Sequence, residues 1–265
     1  MGFLGIESKK FLIFGVANRK SVAFHIAKVL QDEGAELIFS VQKDEAAAVV
    51  EKFFPGASVY RGDFEDENGM KMAAAEIGAA HKSIYGIVHS VAFANFSEGV
   101  KPFHATVRKD FLQAVDISCF SFINIAGLYL PYMDPDGAMI TISISTTRMA
   151  AESYGYMAPV KAALDSSICF LAKSLSETTR IRVNGVGASL LKTSASAGIP
   201  GYVKPYLFAE KATLRKEALK TEEVANVAAF LLSPRAAGIN AQTLVVDAGM
   251  SVNYFDREIV NKVIE

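Results

Sequence analysis

The chain has 265 residues, and 51% of them are hydrophobic, enough to bury one large α/β core or two small ones. A net charge of −1 and the lack of a basic run argue against a nucleic-acid partner. The 2 cysteines lack C-x-x-C spacing and the 4 histidines lack metal-ligand spacing, so a reducing cytosol and no metal are expected. Each histidine, including His89, is interpreted as a structural or a surface residue. Without a signal peptide or an uninterrupted apolar run of roughly 18 residues, the sequence predicts a soluble cytoplasmic protein with no membrane partner.

The first strand is predicted over residues 11–14, and it leads into a single glycine, Gly15. An amphipathic helix follows, with Ser21 and Val22 at its start. A glycine directly after the first strand lets backbone approach a ligand, and a helix N-terminus at that point favours a diphosphate. Ala17 and Ser21 stand where a full G-x-G-x-x-G would have glycines, so the generic dinucleotide fingerprint is incomplete.

A second strand over residues 36–41 ends at Gln42, where a dinucleotide fold faces the adenosine ribose. Gln42 is a neutral hydrogen-bonding group, and only Lys43 offers positive charge to a 2′-phosphate, which favours NADH. A short strand over 58–60 precedes Asp63. That carboxylate either accepts the adenine amino group or caps the next helix.

The fourth strand, over residues 84–89, runs into the small residues Ser90, Val91 and Ala92. These residues either leave room for a nicotinamide ribose or form a tightly packed turn. Residues 111–130 are predicted to form a long apolar helix, bounded by Pro131 and by a turn at residues 135–137. We expect this helix to be buried on two sides, as in a subunit interface.

A strand over residues 139–144, a polar turn and a helix from about 162 to 175 follow. Tyr154 and Lys161 are seven residues apart, which on a helix places them on nearly the same face, about 10.5 Å apart. An ammonium near a phenol lowers the phenol pKa and helps it donate a proton to a developing oxyanion. The alternative interpretation is that Tyr154 and Lys161 have no joint function and are simply one packed ring and one surface residue. Pro159 is expected to remove the hydrogen bond to the Gly155 carbonyl and to kink the helix.

The last third of the chain has a strand over residues 181–186, a helix from Thr221 and a strand over 243–247. Residues 189–215 are apolar, contain turn residues and lack periodicity, which suggests a lid over an apolar ligand. Strands alternate with helices throughout. The chain is therefore predicted to be a single α/β domain, 1–265, with a Rossmann-like doubly wound parallel sheet.

Together these residues resemble the short-chain dehydrogenase/reductase superfamily, specifically its bacterial enoyl-acyl carrier protein reductases, over nearly the whole chain. Tyr154-x6-Lys161 has the spacing of that family, whereas most of the superfamily has Tyr-x3-Lys, and the position four before Lys161 is Met157. The other matching segments are Gly15-Val16-Ala17, Gln42, Asp63-Phe64, Ser90-Val91-Ala92, Asp116-Ile117-Ser118, Arg182-Val183-Asn184, Lys192-Thr193, Ala197-Gly198-Ile199 and Val245-Val246-Asp247.

The resemblance implies NADH-dependent reduction of the trans-2 double bond of an enoyl-acyl carrier protein or enoyl-coenzyme A thioester, by a homotetramer, in fatty acid biosynthesis. Tyr154 would donate the proton, and Lys161 would hold the nicotinamide ribose. The implied cofactor contacts are Gly15, Ser21, Val22, Gln42, Asp63, Phe64, Ser90, Val91, Ala92, Lys161 and Thr193. The implied acyl contacts are Phe93, Ala94, Ile144, Met157, Ala195, Ile199 and Tyr202.

Three positions depart from the family. Ile144 replaces its second tyrosine, Ala92 replaces a glycine, and Ser189-Leu190 replaces Gly-Pro. Ile144 either narrows the acyl pocket or marks a paralogue with an altered substrate or low activity. Two alternatives therefore stay open: a carbonyl reductase that recruits Thr141 or Ser143, and a divergent NAD-binding paralogue with little catalysis.

Overall fold

The sheet has seven strands in the order β3-β2-β1-β4-β5-β6-β7, and every neighbouring pair is parallel. The computed structural model describes residues 2–145, 147–151 and 154–264. The strands are β1 Lys10–Phe14, β2 Glu36–Val41, β3 Ser58–Arg61, β4 Ile84–His89, β5 Met133–Ile144, β6 Arg182–Ala188 and β7 Thr243–Val246. The strand order reverses between β1 and β4, which creates a crevice at their carboxyl ends. The predicted doubly wound parallel sheet is confirmed.

Helices cover both faces of the sheet. They are α1 Val22–Asp32, α2 Asp44–Phe53, α3 Glu67–Ala80, α4 Arg108–Val115, α5 Ser121–Tyr129, α6 Met157–Leu175, α7 Ser194–Ala197, α8 Val203–Ala212, α9 Thr221–Leu232 and α10 Arg257–Ile264. One core layer packs α1, α2 and α9 on the sheet, and the other packs α3, α5 and α6. Every residue of β4 and β6 is buried, as expected for parallel strands covered on both faces.

The helix that contains α4 and α5 is continuous through a π-helical turn at Asp116–Phe120. Over Arg108–Tyr132 this helix is long and apolar enough to cross a membrane, judged by length and composition alone. The search of the sequence for an uninterrupted apolar run did not find it. Phe122, Ile125 and Tyr129 on this helix are fully buried in the core. Buried core helices pass the same criterion, so the criterion alone is weak support for a membrane segment.

Several predicted boundaries were wrong. The strand β5 begins at Met133, and residues 135–137, which predicted a turn, lie within it at a break in register with β4. The segment 189–215 contains the helices α7 and α8, and α10 was not predicted. A bulge and three short helices leave little periodicity in a sequence, which explains these errors.

The start of α6 differs from the prediction in a way that affects the candidate site. Gly155 has a left-handed backbone with φ of 54°, and α6 begins only at Met157. Tyr154 therefore precedes the helix, and the prediction that it shares a helical face with Lys161 is wrong. Pro159 is the third residue of α6, where an amide has no intrahelical acceptor, so the expected loss of a hydrogen bond does not occur.

Candidate active site

The loop after β1 approaches the end of β4 more closely than a side chain permits. Gly15 has φ of 100°, and a Cβ on it would lie 2.0 Å from the carbonyl oxygen of Ser90. The Ser90 amide donates to the Phe14 carbonyl at 3.2 Å, so the two strands remain paired up to this point. The glycine keeps this turn free of side-chain bulk, and such a turn lets backbone approach a diphosphate. The residues present therefore fit a dinucleotide.

Ser21 organises the same loop. Its Oγ accepts the amides of Ala17 at 3.0 Å and Asn18 at 3.1 Å. The Ser194 hydroxyl, at the start of α7, donates to Asn18 Oδ1 at 3.1 Å and lies 3.4 Å from Ser21 Oγ. Ser21 thus shapes the loop, and the amides of Val22 and Ala23, at the start of α1, remain for an anion because those of Phe24 and His25 donate to the Ser21 carbonyl. Sequence reasoning missed Ser194, which joins the predicted lid to this loop.

The residues predicted to contact adenosine lie at the ends of β2 and β3. Gln42 directly follows β2 and is exposed. Asp63 Oδ1 accepts the Glu65 amide at 3.0 Å, and its Oδ2 has no hydrogen-bond partner among the described residues. The cap of α3 is Asp66, whose carboxylate accepts from Gly69, so the alternative in which Asp63 caps that helix is wrong.

Phe64 is a packed ring that supports the middle of the site. Its ring centroid lies 5.8 Å from that of Phe14 and 6.3 Å from that of His89. Because Phe14 and His89 end the adjacent strands β1 and β4, this contact joins the adenosine side of the crevice to the centre of the sheet.

The loop after β4 is anchored by Ser118, which the sequence identified only as part of a matching helix segment and not as a site residue. Ser118 is fully buried in the π-helical turn, and its Oγ accepts the Phe93 amide at 2.9 Å and donates to the Phe93 carbonyl at 3.1 Å. Ser90, Val91 and Ala94 are partly buried, whereas Ala92 and Phe93 are exposed. The loop after β4 is therefore held against the π-helical turn of the long helix.

His89 forms a buried polar link between β4, β5 and α5. Its Nδ1 lies 2.7 Å from Thr141 Oγ1, and its Nε2 lies 2.9 Å from Ser121 Oγ. The Ser121 hydroxyl donates to the Ile117 carbonyl, so His89 Nε2 must donate to Ser121 and Nδ1 must accept from Thr141. Burial and the positive charge of Lys161 lower the pKa of His89 well below its ordinary value, which keeps the ring neutral.

Two sequence interpretations are settled by this link. His89 is a structural histidine, as one interpretation held, and it is not a surface residue. The Thr141 hydroxyl is committed to His89, which removes one of the two candidates for the serine role of a carbonyl reductase.

Tyr154 and Lys161 follow β5 in the chain. Lys161 is only 4% exposed, and its Nζ donates to the Ile142 carbonyl at 2.8 Å. Burial lowers the pKa of Lys161 to about 8, although Asp165 and Cys119 act in the opposite direction. Burial, and then the nearby Tyr202, raise the pKa of Tyr154 above its ordinary value. The expectation that Lys161 lowers the phenol pKa is therefore wrong here, and the phenol is protonated at neutral pH.

The residues predicted to contact an acyl chain fall into two groups. Met157 is buried in the core layer beside α6, and Ile144 ends β5 in register with Ala188 of β6. The lid residues are more open: Ala195 is exposed, Ile199 is partly buried, and the Tyr202 hydroxyl donates to the Leu191 carbonyl at 2.9 Å. The structure thus places Met157 in the core, Ile144 at the end of β5, and Ala195, Ile199 and Tyr202 in the predicted lid.

Thr193 has a defined local role. It is the N-cap of α7, where its Oγ1 accepts the Ser196 amide at 3.2 Å and its own amide donates to Ser196 Oγ at 2.9 Å. This capping box fixes the start of the predicted lid next to the Ser194 contact with the loop after β1.

The buried lysine predicts a pH-dependent stability of the cofactor-free protein. Its pKa falls from 10.5 to about 8 on folding. Between these values the unfolded chain binds more protons than the folded one, so the free energy of unfolding rises with pH. We expect a gain of about 2 kcal/mol between about pH 7.5 and about pH 9.5, measured by urea denaturation. Lys161→Met should lack this gain, and an equal rise in that variant would contradict the assignment.

A parallel sheet of this order, with a glycine turn after β1 and a tyrosine and lysine after β5, is the arrangement of a short-chain dehydrogenase/reductase. The family model described as Enoyl-(Acyl carrier protein) reductase matches residues 15–251. The chain belongs to the enoyl-acyl carrier protein reductase family, and the resemblance identified from its sequence is confirmed.

Individual relatives match over nearly their whole length. The chain is 32% identical to the enoyl-acyl-carrier-protein reductase (NADPH) FabI of Staphylococcus aureus, covering 93% of this chain and 98% of that protein. It is also 32% identical to the NADH enzyme FabI of Escherichia coli, covering 95% and 97%. The solved structure of the Aquifex aeolicus enoyl-acyl-carrier-protein reductase (NADH) superposes with a TM-score of 0.90 at 30% identity, covering 95% and 99%. These relatives use a nicotinamide cofactor, but they divide between NADH and NADPH.

Proposed function

We propose that the protein reduces the trans-2 double bond of enoyl-acyl carrier protein thioesters with NADH, in fatty acid biosynthesis. The observation that carries this proposal is the pair formed by the Tyr154 phenol, which packs against the core beside α6, and the buried Lys161 seven residues later. Met157 occupies the position four residues before Lys161, so the more common Tyr-x3-Lys arrangement is excluded. Membership of the enoyl-acyl carrier protein reductase family supports the same reaction.

NADH supplies the hydride when bound, and the chain supplies the proton donor. As the β-carbon of the substrate gains hydride, negative charge accumulates on the thioester oxygen. Tyr154 donates its phenolic proton to that oxygen, and its partly dry surroundings strengthen this interaction. The resulting enol tautomerises to the saturated thioester, with the proton now on the α-carbon, and solvent returns a proton to the phenol. Lys161 holds the nicotinamide ribose and adds positive potential while it is protonated, which its pKa of about 8 allows at neutral pH.

The other residues near the crevice are assigned to parts of the cofactor and of the substrate. The turn at Gly15 and the first turn of α1 hold the diphosphate, Gln42 and Asp63 bind adenosine, and the loop after β4 contacts the nicotinamide ribose. Thr193 contacts the nicotinamide from the predicted lid. Ile144, at the end of β5, narrows the acyl pocket where the family has a second tyrosine.

The assembly is proposed to be a cytoplasmic homotetramer that acts on enoyl-acyl carrier protein or enoyl-coenzyme A. The outer surface of the long helix and of α6 supports self-association because it exposes the large apolar side chains of Phe120, Ile123 and Phe170. The mass of the protein in solution tests this proposal.

The reaction is tested by following NADH oxidation with crotonyl and longer trans-2-enoyl thioesters, and in parallel with a 3-oxoacyl thioester. We expect turnover with the enoyl substrates only. Turnover confined to the 3-oxoacyl substrate would assign a carbonyl reductase. NADH binding without turnover of either substrate would assign a divergent nucleotide-binding paralogue.

A further inference from the structure

An ion pair stands at the ends of β2 and β3, beside the position proposed for the adenosine ribose. Arg61 Nη2 lies 2.5 Å from Asp44 Oδ1. Arg61 is the last residue of β3 and pairs in register with Val41, the last residue of β2. Gln42, the proposed ribose contact, follows Val41 directly, and Asp44 begins α2 two residues later. The backbone therefore places Arg61 and Asp44 close to Gln42, the proposed contact of the ribose.

The charges around this position include an arginine that is already paired with a carboxylate. Two cations lie at this position: Lys43, which directly follows Gln42, is exposed and forms no ion pair among the described residues, and Arg61, at the end of β3, is already bonded to a carboxylate. Glu45 adds a second carboxylate to the first turn of α2. Arg19, on the loop after β1, lies over the ring of Phe53 at 4.8 Å, where it is engaged by an aromatic face.

We propose that Asp44 determines the preference of this chain for NADH over NADPH. The inference rests on the proposed nucleotide site, and it adds a residue to which no role has been given. NADPH differs from NADH by a 2′-phosphate, which dinucleotide folds accommodate with a nearby arginine. Asp44 withholds Arg61 from that phosphate, and its own negative charge repels the phosphate at short range. The neutral 2′-hydroxyl of NADH does not need the arginine and is not repelled by Asp44.

The exposure of the pair makes the inference testable without disturbing the fold. The side chain of Asp44 is 93% exposed and that of Arg61 is 51% exposed, so replacing the carboxylate removes charge and little packing. Asp44→Asn keeps the shape of the side chain and leaves Arg61 free to meet a phosphate. The effect should be largest at low ionic strength, because salt screens charges at exposed sites.

The experiment measures the dissociation constants of NADPH and NADH by nucleotide fluorescence in the full-length protein, with no acyl substrate present. Asp44→Asn should tighten NADPH binding about tenfold and change NADH binding less than about twofold. The double variant Asp44→Asn with Arg61→Gln should lose that gain, because the freed guanidinium is its source. Asp136→Asn is the matched control, since it also removes one carboxylate from an exposed pair, with Arg180, at the opposite end of the sheet. It should change neither constant.

Distinct outcomes separate this inference from the proposed reaction. An unchanged ratio of the two dissociation constants in Asp44→Asn, or a wild-type protein that binds NADPH more tightly than NADH, would overturn the role of Asp44. Nucleotide binding that shifts as expected, in a protein without enoyl turnover, would uphold that role and refute only the reaction. Failure of both nucleotides to bind would overturn both.

Discussion

Replacement of Tyr154 by phenylalanine is expected to lower turnover of an enoyl thioester by about 10²–10³-fold while the NADH dissociation constant changes less than about twofold. The ring keeps its place in the core layer beside α6, so folding and cofactor binding are retained. Only the hydrogen donor to the developing oxyanion is lost. The measurement is kcat by NADH oxidation, with NADH binding followed separately by fluorescence.

The control for this variant is Tyr156→Phe, two residues further along. The Tyr156 hydroxyl donates to the Asn95 carbonyl at 3.2 Å, and its ring stacks on Phe96. Its removal should cost about 1 kcal/mol of stability and leave turnover within about threefold. Equal turnover in Tyr154→Phe and the wild type would refute Tyr154 as the proton donor. A parallel loss of NADH affinity would reassign it to cofactor binding.

The replacement of a second tyrosine by Ile144 bears on the size of this effect. Ile144 offers no hydrogen-bond donor at the end of β5, so in the proposed reaction the thioester oxygen would depend on the Tyr154 phenol. An oxyanion with one side-chain donor loses more when that donor is removed than an oxyanion with two. The reduction in kcat should therefore lie toward the upper end of the stated range.

The sheet was predictable because its signal is local. The bounds of β2 and β4 agree with the sequence prediction, since strands covered on both faces read as short, uninterrupted apolar runs. Gly15 was also identified correctly as a position of close backbone approach, because a glycine directly after the first strand is typical of a tight turn that admits no side chain.

The arrangement of the candidate site was less predictable because it depends on contacts between distant residues. Ser194 meets the loop after β1 across 173 to 176 positions of sequence, and Ser118 meets Phe93 across 25. The direction of the Tyr154 pKa shift depends on whether burial or a neighbouring charge dominates, and spacing alone cannot decide that. The left-handed backbone at Gly155 is likewise invisible to a helical periodicity that continues through it.

Replacement of Gly15 by alanine is the second variant expected to have a large effect. The φ of 100° is unfavourable for any residue with a Cβ, and the added carbon would lie 2.0 Å from one backbone atom of Ser90 and 2.6 Å from another. Backbone at the end of β4 cannot rotate aside as a side chain would, so β1 and β4 must separate there. We expect a loss of about 3 kcal/mol or more in the free energy of unfolding, and at least about 100-fold weaker NADH binding.

Gly56→Ala separates the contribution of backbone strain from that of the clash with the Ser90 backbone. Gly56 has a similar left-handed backbone, with φ of 84°, but a Cβ there would meet nothing within 4 Å. That variant should lose only about 1 kcal/mol from backbone strain and should bind NADH normally. Urea denaturation and nucleotide fluorescence on both variants measure the difference, which isolates the contribution of the close approach to Ser90. If both variants lost the same stability and both bound NADH, strain alone would explain Gly15, and its turn would not be where the diphosphate binds.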